Sequence, residues 1–278
     1  MPIWTWFGLK KGCATTPWPE GQEPDGQEGV FGFPRFDPHR CDTSQTGCSD
    51  CVAVCPADAI IRNDAGRIDL DYARCVVCQA CIESCPADAF TPSYDWAFGV
   101  RKRADLRLAP SSESRRMPVG EDGLEQEAAD AAEMRTFGKS LHIRHVDAGS
   151  CNGCESELQA LLNPFYNLHR LGIFFTPSPR FADLLLVTGP VTAAMHEPLL
   201  RTYEAMPRPC WVMALGSCAT SGGTNGGGYA CHKGLEDILP VDIWLPGCPP
   251  NPAAIVEALL LLLRRRPQRV QGGRHEHA

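Results

Sequence analysis

An open parallel α/β sheet with helices on both faces, preceded by a small α+β module, is the architecture this sequence predicts. Three observations predict it. From residue 141 onward, apolar runs alternate with helical stretches, as buried parallel strands and their crossovers do. Residues 48–90 carry an internal duplication whose copies are offset by about 30 residues. Twelve of the fifteen cysteines fall into three sets of four, two in the duplicated region and one spread through the alternating region.

Within the duplicated region, Cys75, Cys78, Cys81 and Cys85, followed by Pro86, form an unbroken C-x2-C-x2-C-x3-C-P run. With this spacing a chain holds a 4Fe-4S cube on three thiolates and lends the fourth to another cube. Upstream, Cys48, Cys51 and Cys55 with Pro56 repeat the latter part of the run, but Gln45 stands where the first cysteine is expected. Reading Thr43–Thr46 as an insertion restores Cys41 to that position. The expected assignment is one cube on Cys41, Cys48, Cys51 and Cys85, and a second on Cys75, Cys78, Cys81 and Cys55. A zinc ribbon also uses paired C-x2-C thiolates, but has no need of the third cysteine and the Cys-Pro ending that occur twice here. The repeat continues as Cys55-Pro-Ala-Asp-Ala-Ile60 and Cys85-Pro-Ala-Asp-Ala-Phe90. So short a stretch cannot bury a core alone, and Val52, Ala53, Val54, Ile60, Ile61, Val76, Val77 and Ile82 are expected to pack on the cubes.

In the alternating region, Leu141–Val146 reads as a strand and is followed by Cys151 and Cys154 and a helix from Glu155 to about Arg170. Ala182–Val187 is a second strand, ending in Thr188-Gly189-Pro190, and Ala193–Met206 a second helix. Trp211–Leu215 is a third strand, running into Gly216-Ser217-Cys218. Val241–Leu245 is a fourth, running into Gly247-Cys248-Pro249-Pro250. A last helix spans Pro252 to about Arg266. In such sheets the ligand crevice lies beyond the carboxyl ends of the strands. Cys151, Cys154, Cys218 and Cys248 all follow such ends, so residues distant in sequence converge on a third cube. Adjacent glycines and prolines let the backbone turn tightly and aim amides at cluster sulfurs. Cys13, Cys210 and Cys231 lack such placement and read as ordinary thiols.

Ser150-Cys-Asn-Gly-Cys-Glu155, Ala182-Asp-Leu-Leu-Leu-Val-Thr-Gly189, Gly216-Ser-Cys-Ala219 and Pro240-Val-Asp-Ile-Trp-Leu-Pro-Gly-Cys-Pro-Pro250 resemble the small subunit of membrane-bound, energy-converting NiFe hydrogenases of the formate hydrogenlyase type. That subunit is similar to the 20 kDa terminal-cluster subunit of complex I. The amino-terminal part, including Lys11-Gly-Cys-Ala-Thr-Thr-Pro17 and Tyr94-Asp-Trp-Ala97, resembles the two-cluster polyferredoxin subunit of the same complexes. The resemblance implies a flavodoxin-like small-subunit domain fused to a bacterial ferredoxin domain, and an oxidoreductase subunit carrying three 4Fe-4S clusters. It also implies that Cys151, Cys154, Cys218 and Cys248 hold the cluster proximal to a nickel-iron centre on a partner large subunit. Further implied partners are integral membrane subunits and an electron donor or acceptor such as formate dehydrogenase, CO dehydrogenase or ferredoxin. The direction of hydrogen chemistry stays open. Complex I relatives carry adjacent cysteines where this chain has Cys151-Asn-Gly-Cys154, so the separated pair points to hydrogenase. A complex I-like quinone oxidoreductase module and a soluble electron carrier are the alternatives. Ser217 stands where hydrogenase relatives often have Asp.

Glu155 and Glu157 follow the second cysteine of the crevice. Glu155 reads either as a proton-path carboxylate or as an acid favoured at a helix amino terminus. Gly222–Gly228 lacks the Lys-Ser/Thr pair of a phosphate loop and reads as a flexible loop.

The expected domains are an extension (1–37), the ferredoxin domain (38–108), a Ser/Glu/Asp/Ala-rich linker (109–137) that lets the ferredoxin domain dock along a partner, the sheet domain (138–266) and a disordered tail (267–278). A net charge of −7 without a basic cluster argues against nucleic-acid binding. Clustered thiolates and an amino terminus without a signal pattern place the chain in the cytoplasm. The apolar stretch Ala253–Leu263 contains Glu257 and is too short to span a bilayer. Attachment to the cytoplasmic face of the inner membrane is expected through partner subunits. Trp4, Trp6, Phe7 and Trp18 are expected against a partner or at the membrane interface.

Overall fold

The computed structural model describes residues 3–12, 18–19, 27, 29–41, 47–108, 140–266 and 268. Cys13, the insertion Thr43–Thr46, the linker 109–137 and most of the tail lie outside the described residues. After α1 (Ile3–Lys11), the small module contains β1 (Arg35–Phe36), α2 (Asp50–Val54), β2 (Ile60–Arg62), β3 (Ile68–Asp71), α3 (Ala80–Glu83), β4 (Phe90–Thr91), a 3-10 turn (Arg103–Leu106) and β5 (Arg107–Leu108). The larger domain follows with β6 (Leu141–Asp147), α4 (Gly153–Ala160), β7 (Ile173–Phe175), β8 (Leu184–Thr188), α5 (Ala193–Glu204), β9 (Trp211–Leu215), α6 (Ser217–Ser221), β10 (Ile243–Leu245) and α7 (Pro252–Leu262).

The five strands of the larger domain are all parallel, in the order β10-β9-β8-β6-β7. Strand order reverses about β6, so the crevice of this doubly wound sheet opens between the ends of β6 and β8. Side chains alternate across the sheet. Leu184, Leu186, Met213, Leu215, Ile243 and Leu245 share a core with α4 and α7. Leu185, Val187, Val212, Ala214 and Trp244 face the other way, toward α5 and the small module. Strands covered on both faces must be apolar at every position, which is why β8 and β9 read as continuous hydrophobic runs.

Several expectations are corrected. The predicted helix from Glu155 to about Arg170 ends at Ala160, because turns, Pro164 and the 3-10 segment Leu168–Leu171 interrupt it. A fifth strand, β7, follows Gly172 at the sheet edge. Trp18 is buried at 4 % exposure, edge-on to Tyr166, and is no surface anchor. Trp4, Trp6 and Phe7 of α1 are exposed. Ala53 and Val54 of α2 and Ile61 of β2 point outward, since the short helix and the strand each bury only one face. Gln268, assigned to a disordered tail, accepts from the Arg101 amide at 3.0 Å and donates to Asp105 Oδ2 at 2.8 Å.

The small module is docked on the sheet of its own chain. Val100 forms an antiparallel bridge with Trp244 of β10, with N–H···O bonds of 2.9 and 2.8 Å in the two directions. This pairing closes an edge that would otherwise present free backbone groups. Trp96 and Ala97 enter the core on one side of the sheet, Phe98 and Val100 that on the other. A Cβ on Gly99 would meet Ala258 Cβ of α7 at 3.0 Å. Beside the bridge, Arg103 pairs with Asp71 (3.5 Å) and Glu236 (3.3 Å) and donates to the Thr220 carbonyl at 3.0 Å. Asp71 is 6 % exposed, and its other cation, Arg107, lies 3.6 Å away toward solvent. Arg103→Ala leaves a buried carboxylate short of its better cation, at a cost of about 3 kcal/mol. A lower thermal midpoint of the iron-loaded chain is the expected result, and an unchanged midpoint contradicts it.

Candidate iron-sulfur centres

In the small module the duplicated sequence gives duplicated geometry. Asp58 and Asp88 both adopt left-handed backbone (φ 47° and 50°), a conformation that Asp tolerates better than most residues. The turn each makes brings the amide of the next residue onto the cysteine. Ala59 N–H donates to Cys55 Sγ and Ala89 N–H to Cys85 Sγ, both at 3.3 Å. Val77, also left-handed at φ 58°, donates to Cys75 Sγ at 3.4 Å. Amide donors of this kind favour the reduced form of a bound cluster.

The thiols gather by set. Cys51 lies within electrostatic reach of Cys41, Cys85 and Cys48. Cys81 lies within reach of Cys75, Cys78 and Cys55. These last four line one largely apolar cavity with Tyr72 and Phe90, holding some 440 Å³ of empty space with its mouth included. Cys85 lies within reach of Cys51 of the first half, and Cys55 within reach of Cys75 and Cys81 of the second.

The third set converges at the carboxyl ends of the sheet strands. Cys151 and Cys154 flank the start of α4, Cys218 lies in α6 after β9, and Cys248 follows β10. Cys154 is within reach of Cys218, Cys151 and Cys248. Two glycines make room for their sulfurs. Gly216 (φ 91°) passes so close that a Cβ there would sit 2.7 Å from Cys154 Sγ, and one on Gly223 would sit 3.0 Å from Cys218 Sγ. Thiolates grouped in fours, amides aimed at sulfur and a backbone stripped of side chains beside them are a donor set that fits 4Fe-4S cubes.

Between the second and third sets lies a short gap, since Cys75 is within reach of Cys248. Cys231 lies within reach of Cys218; its loop pairs with Thr192 beyond β8, a contact that no local pattern announces. Cys210 sits apart, 3.1 Å from the Arg208 guanidinium.

Burial, with the neighbouring thiols second, pushes Cys51 up to about 11 and Cys81 to about 12. Burial also pushes Cys75 up to about 12 and Cys218 to about 11, and it raises Cys154 and Cys248. A raised thiol pKa favours the metal-free fold below the ordinary value of 9.0, and that contribution is lost as pH rises through about 11 to 12. Iron requires the thiolate, so it is favoured in the opposite direction. Chelator-driven iron loss is therefore expected to quicken as pH falls from about 8 to about 6. Bleaching of the visible absorption reports it, and a pH-independent rate contradicts it.

Glu155 sits beside Cys154 where β6 and β8 part. Its carboxylate accepts from Ser150 Oγ at 2.7 Å and from Thr188 Oγ1, and His145 Nε2 lies 3.5 Å away. His145 Nε2 is also 3.0 Å from Thr188 Oγ1, and burial holds this imidazole below its usual range despite Glu155. Burial opposes ionisation of Asp147, but the amides of Ser150 and Gly149 outweigh it and hold the carboxyl below the usual range. These contacts fasten the cysteine loop to the sheet. Glu157 lies apart from the set, and burial raises it.

Comparison with known proteins gives a consistent picture. The family of the 20 Kd subunit of NADH ubiquinone oxidoreductase matches residues 151–262, and the 4Fe-4S dicluster domain matches residues 46–90. Formate hydrogenlyase subunit 7 of Escherichia coli is 41 % identical over 140 residues, 50 % of this chain and 55 % of the relative. The chain thus spans little more than half of that relative's length. The probable membrane-bound hydrogenase subunit mbhJ of Pyrococcus furiosus is 42 % identical over 136 residues, 49 % of this chain and 81 % of the relative. Among solved structures, a chain of the membrane-bound sulfane sulfur reductase, an archaeal respiratory membrane complex, is 36 % identical; the match covers 48 % of this chain and 74 % of that one, with a TM-score of 0.43.

Proposed function

Because the chain belongs to the family of the 20 Kd subunit of NADH ubiquinone oxidoreductase and carries a 4Fe-4S dicluster domain, we propose that it is the electron-transfer subunit of a multisubunit, membrane-associated NiFe hydrogenase. The observation that carries this reading is the gathering of twelve cysteines into three sets, two in the small module and one at the end of the parallel sheet. Loaded with 4Fe-4S cubes, these sets supply one-electron chemistry. Cys41, Cys48, Cys51 and Cys85 hold the outer station, Cys55, Cys75, Cys78 and Cys81 the inner one, and Cys151, Cys154, Cys218 and Cys248 the station proximal to a nickel-iron centre on a partner large subunit. The reach between Cys75 and Cys248 supports that order.

In this reading the large subunit covers the crevice at the end of the sheet, where Cys151 and Cys248 are exposed. Glu155 pins the loop of Cys151 and Cys154, and its contacts with Thr188 and His145 give it a route for handing protons between the crevice and the sheet. No helix among the described residues is long and apolar enough to cross a membrane, so the reading assigns attachment on the cytoplasmic face to integral partner subunits. The external partner is an electron donor or acceptor such as formate dehydrogenase, CO dehydrogenase or ferredoxin.

The test is anaerobic purification of the native assembly with iron and nickel counts and hydrogen-dependent viologen reduction. About twelve irons on this chain, nickel on its partner and hydrogen activity are expected. The family match also favours a second reading, a complex I-like quinone oxidoreductase module. Full iron without nickel or hydrogen activity would select it.

A further inference from the structure

The two domains meet at α6, and they meet there through backbone groups of cluster-ligand loops. Ser217 is 1 % exposed. Its Oγ donates to the carbonyl of Cys75 at 2.8 Å and accepts from the amide of Gly247 at 3.1 Å, while its own amide donates to the Gly247 carbonyl at 2.8 Å. Cys218 follows Ser217 in the chain and Cys248 follows Gly247. One buried hydroxyl therefore joins the loop of an inner-station ligand to the loops of two proximal-station ligands. One turn along, Thr220 Oγ1 donates to the Ala73 carbonyl at 2.8 Å. That bond also ties the domains, but it joins no cysteine directly.

We infer that Ser217 is the positioning residue that couples the inner and proximal stations, by holding the Cys75 loop against the loops of Cys218 and Cys248. A hydroxyl suits this place because it donates and accepts at once, so one buried group serves both the Cys75 carbonyl and the Gly247 amide. The bonded contact replaces a van der Waals gap between the two loops. When the relay runs, one electron lost on the module side is gained on the sheet side, and Ser217 moves no proton. The inference rests on the ligand sets of the proposed function and adds a residue that none of them contains.

The test compares Ser217→Ala and Thr220→Ala in the full chain within its native assembly. Iron is counted first. A chain that holds well under about twelve irons before any substitution fails the ligand assignment itself, separately from this inference. With iron intact, freeze-quench electron paramagnetic resonance follows electron arrival at the proximal station after photochemical reduction, and the spin-spin splitting of the fully reduced protein reports the coupling. Ser217→Ala is expected to slow transfer several-fold and weaken the splitting, with Thr220→Ala close to wild type in both. Ser217→Cys, of similar volume but with a weak donor, is expected to fall between wild type and Ser217→Ala, and it serves as the second variant if Ser217→Ala fails to hold iron. Equal effects of Ser217→Ala and Thr220→Ala would assign the coupling to domain docking at large and overturn the inference. So would unchanged transfer in Ser217→Ala, or iron loss from both Ser217 variants.

Discussion

Replacing Gly216 by alanine is expected to strip about four of the irons from each molecule and to abolish hydrogen-linked electron transfer, while leaving the small module loaded. Two independent strains act at this position. Gly216 sits at φ 91°, where an L side chain is strained. The new methyl would also stand 2.7 Å from Cys154 Sγ, with the Gly247 carbonyl at 3.5 Å behind it. Cys154 is the most hemmed-in thiol of its set, so the loop has to retreat and take a ligand with it. Alanine at Gly228, at the end of the glycine-rich stretch Gly222–Gly228, meets nothing nearer than the Asn225 carbonyl at 3.9 Å and serves as the control. Full iron in Gly216→Ala would show that the proximal station does not need this close approach.

Removing Cys55 is expected to empty the inner station, not the one built from its sequence neighbours Cys48 and Cys51. The basis is spatial, because Cys55 lies within reach of Cys75 and Cys81, and with them lines the cavity beneath Tyr72. Cys55→Ser should lose about four irons and retain the signal of the Cys41, Cys48, Cys51 and Cys85 station. That outer station should still accept electrons from dithionite, yet pass none toward Cys248, since the inner station lies between them. Loss of the outer signal with the inner one intact would mean that ligation is not crossed.

Much of the site is legible from spacing alone, because cube ligation demands thiolates at fixed short separations and a Cys-Pro turn. The strands that place Cys218 and Cys248 are legible for a different reason, as apolar runs covered on both faces need no alternation. Residues whose role depends on contacts distant in sequence are not legible. β7 has three residues and sits at an edge, too short for any period to register. α4 ends early because Asn163 caps the following turn, its side chain accepting from the amides of Phe165 and Tyr166. α6 is a five-residue helix, and its hold on the small module runs through Ser217, Thr220 and Arg103, none of which belongs to a local motif. The docking of the module on its own sheet is equally silent, since Val100 and Trp244 are 144 positions apart.

That last pairing bears on biogenesis. The strip around Val100 leaves the ribosome long before β10, its hydrogen-bonding neighbour, is made. The small module therefore gains this contact only after β10 has emerged. Iron delivered earlier would meet a module that still lacks its seat on the sheet edge.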